Sequence, residues 1–212
     1  MARRKSKQAD RGQFLERLVL AVLLLAMALA FYFNYLAERL QAKTGKLGEF
    51  DVLEGAVLVD HGANDGDSFH VRHGGDEFVF RLYYVDCPEK DGRRFSERLA
   101  EQGAYFGGLA VDEVVELGLE AEAFVEGLLR ARKFTVATRW EKVYDSGRYY
   151  AFVRVDGKPL SELLVERGFA RIHTRGVDLP EGKKFESYRE DLGKLESRAK
   201  AEGLGGWRAE GG

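Results

Sequence analysis

A single cysteine, Cys87, stands among the 212 residues. That excludes an intrachain disulfide framework and a multi-cysteine zinc site. The four histidines, His61, His70, His73 and His173, are scattered without the spacing of metal ligands. There are three prolines against 25 glycines, with 45% apolar and 12% aromatic residues. This composition excludes a disordered chain and leaves enough apolar surface for a core. The net charge is −2, so the chain lacks the overall basicity of a protein that coats nucleic acid. Up to Arg17 there are six Lys/Arg and two Asp/Glu, which leaves the remainder at −6. If that remainder handles nucleic acid, it needs local positive charge or a bound cation. No internal repeat or low-complexity tract is present.

What is present, near the start, is a long apolar run. Leu18 to Phe33, "LVLAVLLLAMALAFYF", has no polar member, and Tyr35, Leu36 and Ala37 extend it past Asn34. A spanning helix needs about 20 apolar residues, so the run is just long enough. Arg3, Arg4, Lys5, Lys7, Arg11 and Arg17 precede it, and Arg39, Lys43 and Lys46 follow. This bias keeps the amino terminus cytoplasmic and sends the rest across. A cleaved signal peptide is the alternative, cut after Ala28 or Ala30. Against cleavage, the run exceeds a usual signal core, and bulky Phe31, Tyr32 and Phe33 lie just beyond the cut. The expected organisation is a basic cytoplasmic segment at 1–17, an anchor or signal peptide at 18–37 and a tether at 38–50. A folded domain at 51–208 and a tail at 209–212 complete it.

The folded part opens with strands. Residues 52–59 alternate loosely and end at the turn "DHGANDGD"; residues 68–72 alternate again; "HGGDE" supplies a hairpin turn; residues 77–85 make the third strand. From Phe95 to Arg132 the spacing of Leu99, Phe106, Val114, Val115, Phe124 and Leu128 is helical, as two helices or a broken one. Strands return at 133–143 and 148–155. A short helix at 160–167 and a charged helix at 181–202 follow. The order predicts an α+β domain, mainly β: a five-stranded OB-type barrel with about three packed helices, behind an N-terminal transmembrane helix.

Charged residues sit where apolar strands end. Asp65 and Asp67 lie in the turn before the second strand, and Arg81 lies inside the third among Phe78, Phe80 and Leu82. Asp86 and Glu89 close the third strand, and Arg148 opens the fifth. An arginine within an apolar strand needs a carboxylate partner or an incoming anion. Carboxylates converging at a barrel rim suit a hard cation, Ca²⁺ or Mg²⁺, rather than zinc. Two arginines at the same rim match the fork of a phosphate. Metal plus guanidiniums is equipment for phosphoryl transfer, and a remaining carboxylate can orient water.

The series "DGDSFHV", "FRLYYVDCPE", "SGRYYAFVRVDGKPLSELLVERGFA" and "AKAEGLGGW" resembles the staphylococcal-type thermonuclease family, from about Val52 to Trp207. The resemblance implies that Asp67 and Asp86 hold Ca²⁺ through side chains and Cys87 through its backbone carbonyl, with Asp65 supporting the loop. It implies that Glu89 positions or deprotonates water and that Arg81 and Arg148 clamp the phosphate. The implied partners are DNA or RNA and, through the anchor, a membrane, with the domain extracytoplasmic. The family's base-stacking tyrosines are missing from "RIHTRGV", where Thr174 and Gly176 stand near those places. His173 or Arg175 can substitute, or the stretch is a solvated loop. The region 90–119 is longer than in compact members and either covers the site or adds a helix. The competing reading is a binding module of OB type that has lost its chemistry.

Overall fold

The computed structural model describes residues 2–93 and 96–208, with side chains described at 16–37 and from 42 onward in that range. The expected tail at 209–212 and the expected helix start at Phe95 lie outside the described residues. The chain divides into two units, Met1–Leu40 and Gln41–Gly212.

Helix α1 runs Ala2–Gln41. Its segment Glu16–Ala37 is, among the described residues, the one helix long and apolar enough to cross a membrane. Its side chains at 16–37 are exposed, and by length and composition it suits a membrane anchor or a signal sequence alike.

The second unit is a mixed sheet with helices around it. Its strands are β1 (Lys43–Leu47), β2 (Phe50–Glu54), β3 (Val57–Leu58), β4 (Ser68–His73), β5 (Asp76–Leu82) and β6 (Val85–Asp86). Then come α2 (Ser96–Tyr105), α3 (Val111–Ala131), β7 (Phe134–Thr138), β8 (Arg148–Val155) and β9 (Lys158–Pro159). The chain ends with α4 (Leu160–Glu166), β10 (Arg171–Ile172), α5 (Phe185–Glu202) and a 3₁₀ turn at Gly205–Trp207. The sheet runs β1-β2-β7-β8-β5-β4-β3, with β9 on β8, while β6 and β10 pair separately.

Three expectations are corrected. The sheet is an open path rather than a closed five-stranded barrel. Strand β3 keeps only two ladder residues, on β4, and packs against α3, so too little strand is left to close the ring. Residues 43–47, expected within a tether, form an edge strand on β2 from Lys43↔Glu54 to Leu47↔Phe50. Its side chains are all exposed and include two lysines, which keeps an edge soluble and hid it from a search for apolar alternation. The third expected strand, 77–85, is two strands. Tyr84 takes φ of 72°, and the turn there sends β6 away from β8 to pair with β10. This is an unfavourable conformation for a bulky residue. It is held by the Tyr84 N–H donating to the Arg175 carbonyl and the Tyr84 carbonyl accepting from the His173 N–H.

Apolar periodicity explains the packing. Helix α3 buries Val114, Leu117, Ala121, Val125 and Leu129, one stripe at three-to-four-residue spacing. Gly118 lies on the same stripe, where a Cβ would come 2.7 Å from the Pro88 carbonyl oxygen. Only glycine lets α3 touch the backbone that carries Glu89. Helices α4 and α5 pack together, with Ser161 Oγ and the Tyr188 hydroxyl 2.8 Å apart. The second unit has four α-helices among the described residues, against about three expected, because 96–131 is two helices, α2 packing on α3.

Candidate active site

Three strand registers bring the charged residues together. In the β4–β5 hairpin, turned by Gly74 and Gly75 at positive φ, Ser68 lies opposite Arg81. Strands β5 and β8 are parallel with Val79 opposite Arg148, so Arg148 enters the same end of the sheet. In the β6–β10 pair, Arg171 faces Asp86. Residues far apart in sequence become neighbours because ladder pairing fixes side-chain position to within one residue.

Arg81 is buried and bridges two acids. Its Nη1 donates to Asp67 Oδ1 and its Nη2 to Asp86 Oδ1, both at 2.6 Å. Ser68 Oγ lies 3.2 Å from Arg81 Nη1 and 3.2 Å from Arg148 Nη1. Two guanidiniums thus converge on one hydroxyl. Arg148 has no carboxylate partner among the described residues; its other contact is the Ser146 hydroxyl. Asp65 Oδ1 accepts the N–H groups of Asp67 at 3.0 Å and Ser68 at 2.6 Å, fixing the loop that presents them. Burial, then the neighbouring Asp67 charge, pushes the Asp65 carboxyl well above the usual range.

Asp86 collects more donors than sequence reasoning foresaw. Besides Arg81 it accepts from Arg98 on Oδ1, and from Arg171 Nε at 2.8 Å and Gln102 Nε2 at 3.1 Å on Oδ2. Burial raises its carboxyl, but the Arg98, Arg81 and Arg171 charges outweigh burial and hold it at about 2. Arg98 Nη1 also reaches Glu89 Oε1 at 3.0 Å. Burial lifts the Glu89 carboxyl; Arg98 opposes that, Asp67 and Asp86 reinforce it, and the net direction is up.

A cavity of about 670 Å³ opens beside these groups, lined by Arg81, Asp86, Arg98, Arg148, Arg171 and Arg175, among others. His173 and Thr174 line it too. Arg175 is paired with Glu141. Gly176 is closed off, because a Cβ there would strike the rings of Phe185 and Tyr84. The exposed aromatic at the rim is Tyr144, 87% accessible, with a π-face open to a base.

The calcium donor set implied by resemblance meets a different arrangement. Asp67 Oδ1 accepts from Arg81 and the Ser68 hydroxyl, and Asp67 Oδ2 accepts the Cys87 N–H at 2.7 Å. Both Asp86 oxygens are taken, and the Cys87 carbonyl accepts from Gln102 Nε2 at 3.0 Å. Among the described residues no group of three or more His, Cys, Asp or Glu side chains forms a metal cage. The residues as arranged do not fit a divalent ion. The Cys87 side chain is buried and its thiol is pushed well up, first by burial, which removes it as a nucleophile.

Sequence reasoning named Asp65, Asp67, Arg81, Asp86, Cys87, Glu89 and Arg148, and the fold brings them to one end of the sheet. It missed Arg98, Gln102, Ser68, Arg171 and Tyr144. For Arg171 the available signal was a second buried arginine at a strand end. For Arg98 and Gln102 it was their four-residue helical spacing, which puts both on one face.

The site is thus a set of buried acids bridged by arginines, beside an arginine-lined cavity. A model of the family described as staphylococcal nuclease homologue matches residues 79–209, more than half of the chain, and the chain belongs to that family. The match takes in Arg81, Asp86, Glu89 and Arg148 and begins after Asp65 and Asp67. Membership supports nuclease-type phosphodiesterase activity, on nucleic acid, at the level of the family.

Proposed function

We propose that this chain hydrolyses phosphodiester bonds of DNA or RNA outside the cytoplasm, held to a membrane by Glu16–Ala37. The observation that carries the reading is Arg148, whose guanidinium has no carboxylate partner among the described residues and faces an open cavity that Arg81, Arg98 and Arg171 also line. A guanidinium so placed binds phosphate oxygens and stabilises the charge that builds there in the transition state. Glu89 takes one proton from water as the water oxygen bonds to phosphorus. The P–O ester bond breaks, and the departing oxygen takes a proton from solvent. Glu89 then returns its proton to solvent. Because the calcium donors are already committed, no step here runs through Ca²⁺ or Mg²⁺.

A base must be ionised to act. Burial raises Glu89, so the rate should fall on acidification at a pH above the ordinary glutamate value of about 4.3. The pH profile of kcat/KM on single-stranded DNA measures this. Glu89→Gln should lower the rate about 10²–10⁴-fold and abolish that acid limb. An unchanged limb in the variant assigns the proton to another group. Binding of DNA without any cleavage, in wild type, would favour the binding-module reading.

The anchor has its own test. Full-length protein should sediment with membranes, resist alkaline extraction and keep residue 1. Soluble protein beginning after Ala28 or Ala30 would show signal cleavage instead.

A further inference from the structure

Helix α2 does more than lengthen the chain between Glu89 and α3. Its buried face carries Leu99, Gln102 and Gly103, and Gln102 is fully buried. The Gln102 amide is spent entirely on the catalytic segment. Its Nε2 donates to Asp86 Oδ2 at 3.1 Å and to the Cys87 carbonyl at 3.0 Å, and its Oε1 accepts the Glu89 N–H at 3.0 Å. One turn earlier, Arg98 ties Asp86 to Glu89 and also lines the cavity. An oxygen-ligated cation at this place would draw on Asp86 and the Cys87 carbonyl at about 2.3–2.6 Å. Those are the oxygens that Arg98 and Gln102 hold. A fixed guanidinium also meets the demand that an ion meets in phosphoryl transfer, which is positive charge placed near the phosphoryl oxygens with no reorganisation.

We propose that α2 replaces the divalent ion: Arg98 supplies the cation, Gln102 locks the Asp86–Glu89 segment, and hydrolysis proceeds without metal. The inference rests on the phosphodiesterase reading above. In the step written there, Arg98 holds Glu89 as it receives the water proton and adds a further positive charge at the cavity wall.

The test uses full-length protein in detergent, stripped with chelator. Calorimetric titration with Ca²⁺ alone and with Mg²⁺ alone should give no saturable heat up to millimolar ion. Cleavage of single-stranded DNA should be as fast in chelator as with either ion. Arg98→Met should slow cleavage in chelator about 10²–10³-fold, the usual loss for one preorganised donor. Saturable Ca²⁺ or Mg²⁺ binding by wild type, with cleavage abolished by chelator, would overturn the proposal and leave the nuclease reading intact. Cleavage in chelator undiminished by Arg98→Met would overturn the role of Arg98. Absence of cleavage under every condition would overturn both readings. The wild-type titration and chelator assay decide the metal question even where Arg98→Met fails to fold.

Discussion

Arg148→Ala should abolish most phosphodiester cleavage while leaving the fold intact. The expected loss is about 10³–10⁵-fold in kcat, the range for a guanidinium that neutralises phosphoryl charge in the transition state. The fold should tolerate the change because Arg148 holds no acid in place. Its contacts are the Ser68 and Ser146 hydroxyls, and neither oxygen becomes a buried unpaired charge when the guanidinium goes. Thermal unfolding should shift by no more than about 0.5 kcal/mol. Arg148→Lys should recover only part of the rate, since an ammonium lacks the planar fork. Single-turnover cleavage of single-stranded DNA, read beside a melting curve, checks both halves. Wild-type cleavage by Arg148→Ala would remove this residue from the chemistry. Arg81 cannot give so clean a result, because removing it leaves Asp67 and Asp86 buried without their shared partner.

Asp86→Ala should cause the largest loss of stability. Asp86 is almost wholly buried and compensates Arg81, Arg98 and Arg171 at once. Deleting the acid leaves buried positive charge facing itself, at a cost of about 3–5 kcal/mol. For a domain of this size that lowers Tm by roughly 6–20 °C. Asp86→Asn, which keeps the shape and one acceptor oxygen, should fall between the variant and wild type. The pH dependence carries the same sign. The folded carboxyl is held at about 2, below its unfolded value of 3.8. Its contribution is therefore present in full above the unfolded value and lost as pH falls through about 2. The amount is about 2 kcal/mol. Acid titration of Tm should show this loss in wild type and lack it in Asp86→Ala. Equal melting of the two proteins at neutral pH would mean that the three arginines have other partners.

Much of this site was legible before any coordinates. Alternation marked β4, β5 and β8, and the placement of Arg81, Asp86, Glu89 and Arg148 at strand ends is a property of short-range pattern. Arg98 and Gln102 were not legible as site residues. Their role depends on where α2 docks, and docking is set by Leu99 and by the close approach of Gly103 to the Leu109 carbonyl, which no local pattern reports. The break in the third strand was hidden for a similar reason. Tyr84 has a high strand propensity, and only the β6–β10 pairing makes its left-handed backbone tolerable. The closed barrel failed because strand count was inferred from apolar runs, whereas closure depends on how many ladder residues β3 keeps.

The pairing of Asp86 with Arg171 across β6 and β10 has a temporal consequence. The two residues stand 85 positions apart, so a polypeptide that has not yet extended to Arg171 lacks one of the side chains that line the pocket. Such a fragment would leave Asp86 with Arg81 and Arg98 alone, two of the three guanidiniums that compensate it.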